Sequence, residues 1–149
     1  MSALSSIIGV TRSAGRSLVL PERSIATTAA LEHIIKLTRL RVVDNSDLGK
    51  QAMLEGKPPK VIHVYNKRGV GHIGDKVLVA IKGLKKKAII VGCKGQWVKS
   101  HVPRFDTNNC VLVNDDMSPL GNRILVPIPH SLRNRGDYAK LIAIGTSFV

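Results

Sequence analysis

A chain of 149 residues suits one domain whose core needs no disulfide or metal staple. Its 23 lysines and arginines against 10 acidic residues leave a formal charge of +13, which repels itself unless a polyanion neutralises it; nucleic acid is the first candidate and an anionic membrane surface the second. No apolar run approaches the ~18 residues of a membrane span, and Cys93 and Cys110 lie in apolar stretches outside any Cys-x-x-Cys or Cys/His cluster, which reads as buried reduced thiols.

Residues 1–30 differ from the rest. They carry Arg12, Arg16 and Arg23, many serines and threonines, and a single acid, Glu22. That composition is expected of an organelle transit peptide, with 31–149 as the folded domain. A disordered basic arm that stays attached is the alternative. Removing the leader leaves the remainder strongly basic.

The body predicts short strands. Thr38 to Val43 alternates, with Leu40 and Val42 on one side and Arg39 and Arg41 on the other, before Asp44-Asn45-Ser46 breaks it. Val61–Tyr65, Val77–Ile81, Ala88–Val91, Cys110–Val113 and Ile124–Val126 come next, separated by Gly, Pro, Asn and Asp. Closely spaced β-branched segments of this kind predict a small antiparallel barrel or sandwich. The tail predicts helical turns at Ser131–Gly136, with Ser131 as N-cap and Gly136 as stop, and at Asp137–Ile142.

Gly69-Val70-Gly71-His72-Ile73-Gly74 matches the dinucleotide pattern Gly-x-Gly-x-x-Gly. A nucleotide site there requires a helix after Gly74, yet Asp75-Lys76 leads into a β-patterned run. A tight strand connection is the better reading. Asp115-Asp116 after a strand reads as a solvated turn. The five histidines lack metal-ligand spacing, so no cofactor, metal or catalytic residue is expected.

The stretch Lys76–Phe105 holds no acid. It carries Lys76, Lys82, Lys85, Lys86, Lys87, Lys94, Lys99 and Arg104. Lys85-Lys86-Lys87 is expected in a loop joining two strands, an arrangement favourable only against phosphates. Lys57, Lys60, Lys67 and Arg68 form a second basic group, and Arg123, Arg133 and Arg135 a third. Five dispersed aromatic residues do not suggest a base-stacking platform.

Val43–Ser46, Gly71–Val77 with Ile81-Lys82, Ala88–Val91, Arg104–Asn114, Pro119–Ile124 with Val126-Pro127, Leu132-Arg133 and Lys140–Ile142, in that order, together resemble the ribosomal protein L-fourteen family. Val43-Asp44-Asn45-Ser46 resembles its "ADNS" signature. Gly71-His72-Ile73-Gly74-Asp75-Lys76-Val77 and Ile81-Lys82 resemble its "G-x-GD" turn and "VK" strand end. Ala88–Val91 resembles "AVVV", and Arg104-Phe105-Asp106-Thr107-Asn108-Asn109-Cys110-Val111-Leu112-Val113-Asn114 resembles "FD-x-NA-x-VLLN", the most specific block. Pro119–Ile124 with Val126-Pro127 resembles "P-x-GTRIFGPV", while Leu132-Arg133 and Lys140-Leu141-Ile142 fall where the family has "ELR" and "KI". The match spans about Leu37 to Val149. It departs at Lys94–Pro103, shorter than the bacterial hairpin and containing Trp97, at Gly121-Asn122-Arg123, and at Asp47-Leu48. With the leader, these departures suggest a mitochondrial member.

The resemblance implies a mainly β fold: a small five-stranded antiparallel β-barrel with a short helical C-terminal tail. It implies a structural, non-enzymatic role in the large subunit of the mitochondrial ribosome. The implied partners are large-subunit rRNA, neighbouring large-subunit ribosomal proteins, small-subunit rRNA through intersubunit bridges, and a ribosome-silencing factor. Of the positions that match family motifs, Lys82, Lys94, Arg104, Arg123 and Arg133 are the expected phosphate contacts; Asn45 and Asn108 are either contacts or turn formers. Lys85, Lys86 and Lys87 join the expected RNA-binding set on charge alone. The competing reading is a non-ribosomal basic nucleic-acid-binding β-barrel of the organelle.

Overall fold

The computed structural model describes residues 33–95 and 103–149. The leader and most of the Lys94–Pro103 loop, with Trp97, lie outside the described residues. Strands β1 (Arg41–Val42), β2 (Lys60–Val64), β3 (Lys76–Ile81), β4 (Leu84–Gly92) and β5 (Asn109–Val113) form one sheet in the order β1-β5-β4-β3-β2. Helix α1 (Asp47–Leu54) follows β1, and α2 (Ala139–Ala143) ends the tail after short 3-10 turns at His130–Asn134 and Gly136–Tyr138.

The fold is mainly strand, with a correction to the expected antiparallel barrel. β2, β3, β4 and β5 pair antiparallel, but β1 pairs parallel to β5, so the sheet is mixed. Among the described residues, no strand ladder joins β1 to β2. The chain just before β1 meets β2 through one bridge, Arg39 to Lys60, supported by Leu40 N–H donating to the Pro59 carbonyl and Val61 N–H to that of Thr38, each at 3.0 Å.

Two apolar clusters lie on the two faces of the sheet. Val61, Val64, Val77, Val79, Ile81, Ala88, Ile90, Cys110 and Leu112 fill one with Ile34, Leu40 and Ala52. Alternate residues Ile89, Val91, Val111 and Val113 fill the other, covered by Ile124, Ile128, Leu132, Tyr138 and Leu141 of the C-terminal segment. β5 is buried throughout because both of its faces are covered. Each fully buried aliphatic side chain contributes about 1.5–3 kcal/mol relative to exposure.

The Lys85–Lys87 triplet is not in a loop. The β3–β4 connection is the two residues Lys82-Gly83, with Ile81 opposite Leu84 and φ of 48° and 80°, the left-handed pair that a tight hairpin demands. Lys85, Lys86 and Lys87 therefore lie in β4, opposite Ala80, Val79 and Leu78. Ile124–Val126 is not a strand: Ile124 only bridges Asp44 and Gly145, Leu125 is exposed, and Pro127 cannot extend a ladder. In the tail, Pro129 rather than Ser131 precedes the first 3-10 turn, without a side-chain cap, and Gly136 opens the next turn instead of stopping the helix. Cys110 is fully buried, which pushes its thiol pKa up, whereas Cys93 is half-buried.

Helix α1 has no counterpart among the elements expected from the sequence. Ser46 caps it: its hydroxyl accepts from Gly49 N–H at 3.3 Å while its carbonyl accepts from Lys50 N–H. Asp47 in the first turn suits the helix dipole. Ser46→Ala is expected to lower unfolding free energy by about 1 kcal/mol, measured by urea denaturation; an unchanged midpoint would show that the cap contributes nothing.

Candidate nucleic-acid interface

Arg39 and Lys60 face each other across their bridge because Leu40 and Val61 turn into the core. Like charges directly opposite in a sheet are destabilising. Here they form one wall of a groove of about 560 Å³, which Lys57 and Lys82 also line, with Glu55 the one acid among its lining residues. A second groove of about 390 Å³ shares Arg39 and Pro58 with the first and adds Arg41, Lys94 and Asp106. Together they make a continuous face with six cations, Arg39, Arg41, Lys57, Lys60, Lys82 and Lys94, against two acids.

Lys82 is held within this face. Its Nζ lies 2.6 Å from Glu55 Oε1 and 3.1 Å from Gln51 Oε1, tying the β3–β4 turn to α1. That hydrogen bond, with the Lys82 charge, holds the Glu55 carboxyl below the usual range. Lys94 is placed by its backbone: its N–H donates to Asn108 Oδ1 at 2.8 Å, and it bridges to Phe105. Arg104, next to Phe105 in sequence, is exposed and lines neither of these grooves.

The other expected contacts lie elsewhere. Lys85 is exposed, Lys86 is half-buried opposite Val79, and Lys87 pairs with Asp115 at 2.8 Å. Hydrogen bonding to Asp115 and its charge raise the Lys87 pKa, and the same contact lowers that of Asp115. Arg123 is exposed in a loop whose carbonyl accepts from Asn45 N–H at 2.9 Å. The Arg133 guanidinium sits 4.0 Å over the Phe148 ring. The structure therefore brings Lys82 and Lys94 to one face and leaves Lys85–Lys87, Arg104, Arg123 and Arg133 outside its two grooves.

Sequence reasoning missed Arg39 and Arg41 as contacts. Their outward alternation with Leu40 and Val42 is visible in the sequence, but not that β2 brings Lys57 and Lys60 beside them. Asn45 and Asn108 both make internal bonds, Asn45 Nδ2 donating to Asn122 Oδ1 at 3.0 Å and Asn108 accepting from Lys94. Asp44 is buried, which raises its pKa; the Ser46 hydroxyl and the amides of Asp44, Leu112 and Gly121 partly offset this without reaching full hydrogen-bonding geometry. The Gly-x-Gly-x-x-Gly segment leads into β3 and not into a helix, which removes the geometry a nucleotide pyrophosphate needs.

Comparison with known proteins fits this picture. The sequence model of the family described as ribosomal protein L14p/L23e matches residues 33–149. A zebrafish (Danio rerio) protein, large ribosomal subunit protein uL14m, is 53% identical over 137 residues, covering 89% of this chain and 95% of its own length. The blocks around Asn45, Gly74 and Asn108, the five-stranded sheet and the cationic face thus have one common explanation: the chain belongs to the ribosomal protein L14p/L23e family, whose members are structural and not enzymatic.

Proposed function

We propose that this ribosomal protein is a structural constituent of the mitochondrial large ribosomal subunit and that its Arg39–Lys60 face binds large-subunit rRNA through phosphates. The observation that carries the RNA contact is the pairing of Arg39 with Lys60, which no acid neutralises among the described residues, with Lys57, Lys82 and Lys94 along the same grooves. Such a cluster costs stability alone and gains it against a polyanion by releasing counterions. The zebrafish relative, named for the large subunit with the mitochondrial suffix, supports the location. Family membership leaves the non-ribosomal organelle barrel without support.

The finer expectations stand on the same basis. Residues 1–30 act as the import leader, which the start of the family match at residue 33 supports. The Arg39–Lys60 bridge supports a barrel in which the run before β1 closes the sheet against β2. Lys85, Lys86, Lys87, Arg104, Arg123 and Arg133 serve further RNA contacts outside the grooves. Neighbouring large-subunit proteins, bridges to small-subunit rRNA and a ribosome-silencing factor complete the expected partners.

The test is sedimentation of a mitochondrial lysate through a magnesium-containing gradient, with the protein's peptides followed by mass spectrometry. Migration with the large subunit, without the first residues, is expected. Protein at the top of the gradient with residues 1–30 intact would overturn both the assembly and the leader.

A further inference from the structure

The outer face of the sheet is only partly covered. Register places His63, Leu78, Lys87 and Val113 in one row, and Lys76, Ile89 and Val111 in the next, which Tyr65 extends by donating its N–H to the Lys76 carbonyl. The C-terminal segment buries Ile89, Val111 and Val113 but leaves Tyr65 51% exposed. At the boundary lies a cleft of about 290 Å³ whose lining includes Tyr65, Lys76, Lys87, Val113, Asp115 and Met117. The Tyr65 ring is braced edge-on by His63, with centroids 5.4 Å apart and planes at 90°.

We propose that this cleft takes one unpaired nucleotide of RNA, its base stacked on Tyr65 above Val113 and Met117 and its phosphate between Lys76 and Lys87. The proposal rests on the reading that the chain binds RNA, and it adds a site of a different kind. The basic grooves offer only charge, which suits the regular backbone of a duplex. An exposed ring on a sheet, backed by an apolar floor and flanked by cations, suits a base splayed out of its helix. The lysines are available, because their acidic partners are highly exposed: Asp115 holds Lys87 at 2.8 Å with its side chain 89% exposed, and Asp137 lies 3.8 Å from Lys76 at 77%. A phosphate displaces such surface partners at little cost. The +13 charge of the chain favours an anionic occupant over an apolar segment of a protein.

The test uses the full chain with dye-labelled single-stranded oligoadenylate and a duplex RNA of equal length, read by fluorescence anisotropy across a salt series. Tyr65→Leu is expected to weaken single-strand binding by about fivefold to a hundredfold, the range of one base–aromatic stack, and to leave duplex binding unchanged. Tyr65→Phe keeps the stacking ring and is expected to bind as the parent does. The slope of log affinity against log salt stays unchanged in Tyr65→Leu, whereas Lys87→Ala lowers it by about 0.7 on the single strand. Equal losses on both RNAs, or a silent Tyr65→Leu in a chain that binds both normally, overturn the nucleotide site alone. A chain that binds neither RNA overturns the RNA-binding reading as well. Release of a neighbouring protein from purified subunits by Tyr65→Leu, with RNA binding intact, assigns the cleft to that protein and overturns the proposal.

Discussion

Replacing Gly74 with alanine is expected to lower the unfolding free energy by about 2–4 kcal/mol, combining left-handed backbone strain with overpacking. Gly74 has a φ of 85°, which an L side chain rarely adopts. A Cβ there would also lie 2.9 Å from Arg135 Nη1 and 3.0 Å from Leu132 Cδ2. The position is a junction. Gly74 N–H donates to the Ile90 carbonyl at 2.8 Å, and the Gly74 carbonyl accepts from Arg135 Nη1 at 2.8 Å and from the buried Tyr138 hydroxyl. The β2–β3 connection thus pins the C-terminal segment over Ile89, Val111 and Val113. Tyr138→Phe is the reference for losing one hydrogen bond at this junction: it keeps the ring and the backbone, deletes the hydroxyl's bond to the Gly74 carbonyl, and is expected to cost about 1 kcal/mol. Urea denaturation of both variants, tracked by circular dichroism, measures the difference. A Gly74→Ala loss no larger than that of Tyr138→Phe would show that the surroundings absorb the Cβ.

This junction shows where the sequence is legible and where it is not. The glycine pattern from Gly69 to Gly74 reads correctly as a strand connection, because the run from Lys76 to Ile81 has strand periodicity. That the Gly74 carbonyl receives the tail is invisible, since Arg135 and Tyr138 lie more than sixty residues away in sequence. Strand β4 is underestimated for a related reason. Three consecutive lysines look like a loop when charge is weighed alone, yet Lys82-Gly83 satisfies the turn and the register carries the triplet into the sheet. Helix α1 has its start signal in Ser46-Asp47, but Asp44-Asn45-Ser46 also reads as a simple break, and eight residues offer little periodicity. The parallel pairing of β1 with β5 has no local signature at all.

The candidate face divides in the same way. Lys82, Lys94 and Arg104 are legible as motif positions, and tertiary structure brings Lys82 and Lys94 to one side. Arg39 and Arg41 lie in view as the outward residues of an alternating run. Hidden from the sequence is the bridge to Lys60, a contact between segments separated by α1 and its loop.

That bridge supports the second large effect. Arg39→Ala combined with Lys60→Ala is expected to weaken binding to duplex rRNA fragments by about a hundredfold, taking about 1.5 kcal/mol for each charged contact. The slope of log affinity against log salt is expected to fall by nearly 2, about 0.9 per phosphate released. The same variant is not expected to lose stability. Its two cations oppose each other directly, and relieving such a pair yields about 0.2–1 kcal/mol, so the denaturation midpoint should hold or rise. Lys82→Ala provides the contrast, because Lys82 already has Glu55 and Gln51 as partners. Removing it leaves an acid in the groove without its cation, so affinity should fall with no gain in stability. Opposite signs for affinity and stability in the Arg39 and Lys60 variant are what a surface shaped by its polyanion predicts. A fall in both would mean that the two side chains serve the fold through their aliphatic stems. An unchanged salt slope would mean that neither reaches a phosphate.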